Sequence, residues 1–313
     1  MIMEKTILIT GGFGFLGRAA AQKFKQLGHR VIGIGHGGWA PQEALAYGFD
    51  MWIDADVNLS SLMTLPVRFD LVVHCAGNGS VGYSLTNPLQ DFNKTVQSIV
   101  ELIEYMRLIK SDALLVYPSS AGVYGAKDDT PITECDTLNP ISPYGYHKMI
   151  TEYLLRSYSK TYGIRVAIIR FFSIYGQGLT KQLLWDASTK ILASKDGVAI
   201  FSGTGAETRD WINSEDAAEL LCLVSKTTED FSVINGACGV RVTIKETLEM
   251  LQRFLRADIK ITFNGDVRKG DPHFYHADVS KALAMGWKPS TPITKGIRNY
   301  ASWFIAHSKV GVD

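Results

Sequence analysis

The chain is 313 residues long, 46% hydrophobic, and carries 32 Lys and Arg against 31 Asp and Glu. That length buries a large core and suits one large nucleotide-binding domain with a smaller second lobe, whereas the balanced charge offers no global field for nucleic acid or a membrane surface. No apolar run reaches the 18 residues of a spanning helix, and Cys75, Cys135, Cys222 and Cys238 show neither CxxC nor metal-ligand spacing, so they read as reduced thiols with no metal.

The first apolar run, Thr6–Thr10, begins almost at Met1, which leaves no room for a signal peptide and points to the cytoplasm. It reads as a buried strand and runs straight into Gly11-Gly12-Phe13-Gly14-Phe15-Leu16-Gly17. Gly11 permits a tight turn, Gly14 lets backbone approach a pyrophosphate, and Gly17 lets helix and strand pack closely. Phe15, Leu16, Ala19, Ala20 and Phe24 follow at helical spacing, so a helix is expected over Phe15–Leu27, closed by Gly28. Phosphates would meet the unpaired N–H groups at its start. Alone, such a turn is an ordinary strand-to-helix connection; the flanking elements make it a dinucleotide cradle.

Further strands are expected at Val31–Gly35, Met51–Ile53, Leu71–Cys75, Leu114–Tyr117 and Val166–Phe171, with helices at Leu89–Leu108 and Tyr144–Tyr162. The alternation predicts an α/β fold with a Rossmann-like, doubly wound parallel sheet. After Tyr175-Gly176 the rhythm loosens, and helices are expected at Lys181–Ala193, Ser214–Ser225, Lys245–Leu255 and Thr294–His307. With no repeat or linker, residues 1–175 are assigned to the dinucleotide-binding domain, with later strand contributions from 198–240. Residues 176–313 form mainly an interleaved substrate-binding lobe. The helices near 87–108 and 144–162 carry additional apolar residues, which either cover the sheet or form a homodimer face.

The second strand ends in Gly35-His36-Gly37-Gly38. A carboxylate there would grip an adenosine ribose 2′-OH and favour NAD; here none is present, and no Arg stands by for a 2′-phosphate. His36 is a weak substitute for either. NADP is thus permitted without being demanded, unless this stretch is simply a flexible turn.

Taken together, the motifs resemble those of an extended short-chain dehydrogenase/reductase, of the kind that epimerises, reduces or dehydrates nucleotide-diphosphate sugars. The resemblance runs from Thr6 to about Pro289. It rests on the glycine turn, His74-Cys75-Ala76-Gly77, Ser84 to Asn93 with Pro88 between them, and Ser119-Ser120-Ala121-Gly122-Val123-Tyr124-Gly125. In the same order come Pro143-Tyr144-Gly145-Tyr146-His147-Lys148 with Glu152, the run Arg170 to Gly176, Gly205 with Arg209-Asp210-Trp211-Ile212, and Arg268-Lys269-Gly270-Asp271. It implies cofactor contacts at Gly11, Gly14, Phe15, Leu16, Gly17, Gly35, His36, Asp56, Val57, Cys75, Ala76, Gly77 and Asn93, and at Tyr144 and Lys148. Substrate contacts are implied at Ser84, Ser120, Ala121, Ser173, Arg209 and Arg268. Without the resemblance, Asp56 would be a turn residue and each arginine a solvated surface charge.

The residues support a specific chemistry. A free tyrosine titrates near pH 10, too high for a base at neutrality. Lys148 lies four residues on, on the same helical face, and a cation beside the phenol together with the positive nicotinamide would lower its pKa. A drop of about three units needs roughly 4 kcal/mol of differential stabilisation. Tyr144 then takes a proton from a sugar hydroxyl, while Ser120 holds the same oxygen in line. Dehydration needs a further acid and base, which the resembling dehydratases place directly after the catalytic Ser/Thr. Here those positions are Ala121 and Gly122, and neither transfers a proton. What remains is epimerisation through a transient ketone or reduction of a standing 4-keto group. The resemblance favours the first, foremost at C4 of a nucleotide-diphosphate sugar and with NAD kept for the whole cycle; the reductase is the alternative, and a dinucleotide-binding protein without turnover is a third.

Overall fold

The computed structural model describes residues 4–66, 68–266 and 272–308. Twelve strands occur among them: β1 (Thr6–Thr10), β2 (Arg30–Gly35), β3 (Met51–Asp54), β4 (Leu71–His74), β5 (Leu114–Ser120), β6 (Val166–Phe171), β7 (Ser173–Tyr175), β8 (Val198–Phe201), β9 (Thr208–Asn213), β10 (Phe231–Gly236), β11 (Arg241–Thr243) and β12 (Lys260–Phe263). Seven of them form one parallel sheet in the order β10-β6-β5-β4-β1-β2-β3. Apart from the edge strand β3, its strands are largely buried on both faces, as a parallel sheet with helices on either side requires. Ile7, Ile9, Val31 and Val73 pack with Ala20 and Phe24 of α1 (Phe15–Gln26) on one face. Leu8, Ile32, Val72 and Leu115 pack on the other with Ile99, Leu102 and Met106.

The helix expected over Leu89–Leu108 is not continuous. Pro88 starts a short α-helix, Pro88–Phe92, a π-turn occupies Asn93–Gln97, and the α-helix resumes at Ser98–Leu108. Apolar spacing cannot register one wider turn inside a long periodic run. The catalytic-motif helix spans Pro143–Tyr162, with Pro143 at its first position, Ser142 accepting the Gly145 N–H at 3.2 Å, and Gly163 left-handed at its end.

Of residues 198–240, Phe231–Gly236 joins the large sheet at its edge beside β6. Val198–Phe201 pairs instead with β12, and Thr208–Asn213 sits between β7 and β11. These small sheets share a core with Leu184, Ala187, Leu248, Tyr300 and Phe304 from the later helices. No described helix is long and apolar enough to cross a membrane.

Candidate active site

The cleft opens where β1 and β4 are neighbours and the chain leaves them toward opposite faces of the sheet, the usual ligand position in a doubly wound fold. Its volume is about 670 Å³, with Gly14, Tyr144 and Lys148 on the sheet side and Ser173 and Arg209 on the other lobe.

The three motif glycines do different work. Gly11 is left-handed (φ 64°), and a Cβ on it would lie 2.5 Å from the Ala76 nitrogen. A Cβ on Gly17 would lie 2.6 Å from the Gly11 carbonyl, so both are demanded by packing. Gly14 has only that carbonyl nearby, at 3.1 Å, and faces the cleft. It also caps α1 without a side-chain hydrogen bond, so the first-turn N–H groups are open to an anion. A bare glycine over uncapped N–H groups is what a pyrophosphate requires. Behind it, Thr10 Oγ1 bonds His74 Nδ1 at 2.8 Å and accepts the Ala76 N–H at 3.3 Å, tying β1 to the Cys75–Gly77 loop. Burial, then the Lys148 charge, drops His74 to about 3, so it is neutral. Burial likewise pushes the Cys75 thiol up to about 12, which leaves it inert.

Ser120 ends β5 and accepts the Gly122 N–H at 3.1 Å, and its hydroxyl lies close enough to the Tyr144 phenol to oppose the rise in its pKa. Lys148 is 6% exposed. Its Nζ donates to the Pro118 carbonyl at 3.0 Å, 4.7 Å over the Tyr117 ring and 6.0 Å from that of Tyr144. Burial lowers Lys148 to about 8. It also raises Tyr144 above its ordinary value, against the opposing Ser120 hydroxyl. In the chain alone desolvation dominates, so the lowered pKa expected of Tyr144 requires positive charge beyond that of Lys148. A Cβ on Gly122 would lie 3.3 Å from Tyr144 Cε1 and 3.4 Å from Ser120 Oγ, so a carboxylate side chain there would crowd both.

A buried ion pair aligns the elements that carry these groups. Arg170 on β6 donates twice to Glu152 of the Pro143–Tyr162 helix, with Nη2–Oε2 at 2.7 Å, and to the Tyr124 hydroxyl at 3.1 Å. Ser119, beside Ser120, donates to the same carboxylate at 2.5 Å.

Several expected contacts lie elsewhere. Ser84 is wholly buried; it donates to the Val81 carbonyl at 2.7 Å and accepts the Tyr144 N–H at 3.1 Å, so it holds the helix start instead of facing substrate. Asn93 is exposed on the π-turn, and the side chain this turn presents to Gly77 is Thr95. Gly35 (φ 154°) would bring a Cβ to 3.3 Å from Gly11 Cα, which accounts for the missing carboxylate. His36 and Asp56 are exposed and bond each other at 2.6 Å, and Val57 packs partly into the core. Phe15, Leu16, Cys75, Ala76, Gly77, Ala121 and Ser173 line the cleft. Arg209 lines it as well, donating to the Thr208 and Pro272 carbonyls at 2.8 and 3.0 Å. Arg268 lies outside the described residues. Sequence reasoning missed Asn78, Asp91 and Thr95, and also Lys181, whose ammonium lies 3.7 Å from where a Gly79 Cβ would be.

A family model described as the NAD dependent epimerase/dehydratase family matches residues 7–235. The chain is 26% identical to UDP-glucuronate 4-epimerase 3 of Arabidopsis thaliana over 98% of its own length and 78% of that protein. It is 29% identical to UDP-glucose 4-epimerase of Lactobacillus helveticus, covering 97% of this chain and 98% of the relative. The crystal structure of UDP-glucuronic acid 4-epimerase from Bacillus cereus, in complex with UDP-glucuronic acid and NAD, superimposes with a TM-score of 0.85 at 25% identity, over 97% of this chain and all of that one.

Proposed function

This chain belongs to the NAD dependent epimerase/dehydratase family, and on that premise we propose that it epimerises a UDP-linked sugar at C4 using bound NAD. The observation that carries the reading is the convergence of Ser120, Tyr144 and Lys148 on the same cleft as the open Gly14 turn. Residues 1–175 with strand β10 supply the dinucleotide-binding half, and the later residues mainly the sugar-binding half. Gly11, Gly14 and Gly17 with the first turn of α1 hold the dinucleotide phosphates, and the exposed ends of β2 and β3 at His36 and Asp56 receive the adenosine. Bound there, NAD would supply a reversible hydride acceptor, and its positive ring would add the charge that Tyr144 needs.

Tyr144 accepts the proton of the C4 hydroxyl, and Ser120 donates to that oxygen and holds it in line. Lys148 keeps positive charge beside the phenol while its Pro118 bond fixes its position. Arg209 supplies a guanidinium for the diphosphate. Ala121 and Gly122 offer no proton donor or acceptor, so the reaction stops at the ketone and its return. The outward apolar residues Leu89, Phe92, Tyr146, Ile150 and Tyr153 are all exposed, which supports a homodimer through these two segments. The four free thiols suit the reducing cytoplasm.

Purified protein incubated with UDP-glucose and UDP-glucuronic acid, without added reductant, should form the C4 epimers by NMR. Tyr144→Phe should bind NAD within a few-fold of wild type and turn over at least about a hundred times more slowly. Stoichiometric consumption of NADPH with a 4-keto sugar, and no epimer, would replace this reading with the reductase one.

A further inference from the structure

The carboxylate of Asp91 has no part in the chemistry above, yet it is fully buried beside it. It sits in the short Pro88–Phe92 helix, just before the π-turn. One oxygen pairs with Nδ1 of His147, and the other accepts from Asn78 Nδ2 at 2.6 Å. Burying a carboxylate is costly unless it is paired and hydrogen-bonded, and here both partners belong to the site. His147 lies between Tyr144 and Lys148 on the Pro143–Tyr162 helix, and Asn78 follows Gly77 in the cleft-lining loop. Asn78 folds that loop on itself, donating to the Ser80 carbonyl at 2.8 Å and accepting the Ser80 N–H at 3.1 Å. The π-turn adds Thr95, whose Oγ1 accepts the Asn78 N–H at 3.4 Å. Single π-turns inside helical runs recur at functional sites.

We infer that Asp91 and His147 are positioning residues, a buried hydrogen-bonded clamp that joins the Gly77–Ser80 loop to the helix carrying Tyr144 and Lys148 and so holds the nicotinamide side of the cleft in register with the base. This rests on the dinucleotide site argued above. The clamp also places negative charge near the base. Asp91 faces His147, Tyr144 and Lys148 on one helix and Tyr117 on β5; Lys148 in turn faces Glu152, Cys75 and His74. The Asp91 charge holds the protons of Tyr144 and Lys148 more tightly, so its removal releases both at lower pH.

Asp91→Asn keeps the side chain's shape and removes the charge. Titrating NAD into the wild type and this variant from pH 6 to 10 should show about a tenfold weaker affinity, and an alkaline change in affinity that sets in at lower pH than in the wild type. Either effect without the other overturns the clamp, as does the absence of both. Should Asp91→Asn fail to fold, Asn78→Ala cuts the same link from the loop side; NAD affinity should again fall about tenfold, with the pH dependence unmoved, and unchanged affinity overturns the inference. A wild type that binds no NAD at any pH refutes the dinucleotide site itself, and the clamp falls with it.

Discussion

Lys148→Met separates the cost of burying the ammonium from its use. Burial holds Lys148 at about 8 in the folded chain against an ordinary 10.5. The folded value is the lower one, so between the two the unfolded chain binds more protons and stability rises with pH. Below pH 8 the penalty is about 3 kcal/mol, at about 1.4 kcal/mol per pKa unit. At pH 10 the folded amine is neutral while most of the unfolded chain is still charged, which leaves a penalty of about 1 kcal/mol. The wild type should thus gain roughly 2–3 kcal/mol on the Met variant between pH 7 and pH 10. Loss of the bond to the Pro118 carbonyl and of the Tyr117 ring contact shifts the two stability curves relative to each other without changing this slope. Urea unfolding of both ligand-free proteins at pH 7, 8, 9 and 10 measures it. Parallel curves would refute the idea that Lys148 is held charged against burial. The variant should also lose epimerase turnover, because no cation then stands beside Tyr144.

Gly14→Val should abolish NAD binding by calorimetry and lower the thermal melt less than Gly17→Val does, since a Cβ would lie 3.1 Å from the Gly11 carbonyl at residue 14 but 2.6 Å from it at residue 17. Arg170→Met strands the Glu152 carboxylate among Ser119 and Tyr124, and should cost about 3–5 kcal/mol in urea unfolding. Gly35→Asp should destabilise by about 1–3 kcal/mol because of its backbone conformation, which obscures any change in cofactor preference. His36→Arg, at an exposed position, should instead improve NADP affinity relative to NAD by about tenfold in paired titrations, and an unaltered ratio would mean that residue 36 does not face the ribose.

The sequence by itself determined the parallel sheet, the tight turn at Gly11 and Gly17, and the placing of Tyr144 and Lys148 one turn apart on one helix. Each rests on local signals: buried-strand runs alternating with helical spacing, glycines between a strand and a helix, and two residues four apart on one helical face. Gly11 and Gly17 read correctly because their demand is steric and acts within one turn. Tertiary structure decided what depends on neighbours distant in the chain. Ser84 and Asn93 stand in the expected order, but packing turned the first into the core and a π-turn swung the second outward, putting Thr95 under Gly77. Asp91, Asn78 and His147 meet across as many as 69 positions and leave no spacing for a pattern to catch. The sign of the Tyr144 shift in the ligand-free chain was likewise beyond sequence, because it is the balance of burial and the Asp91 charge against the Ser120 hydroxyl. Periodicity reports which face of an element is apolar, whereas desolvation and pairing depend on what the completed fold places against that face.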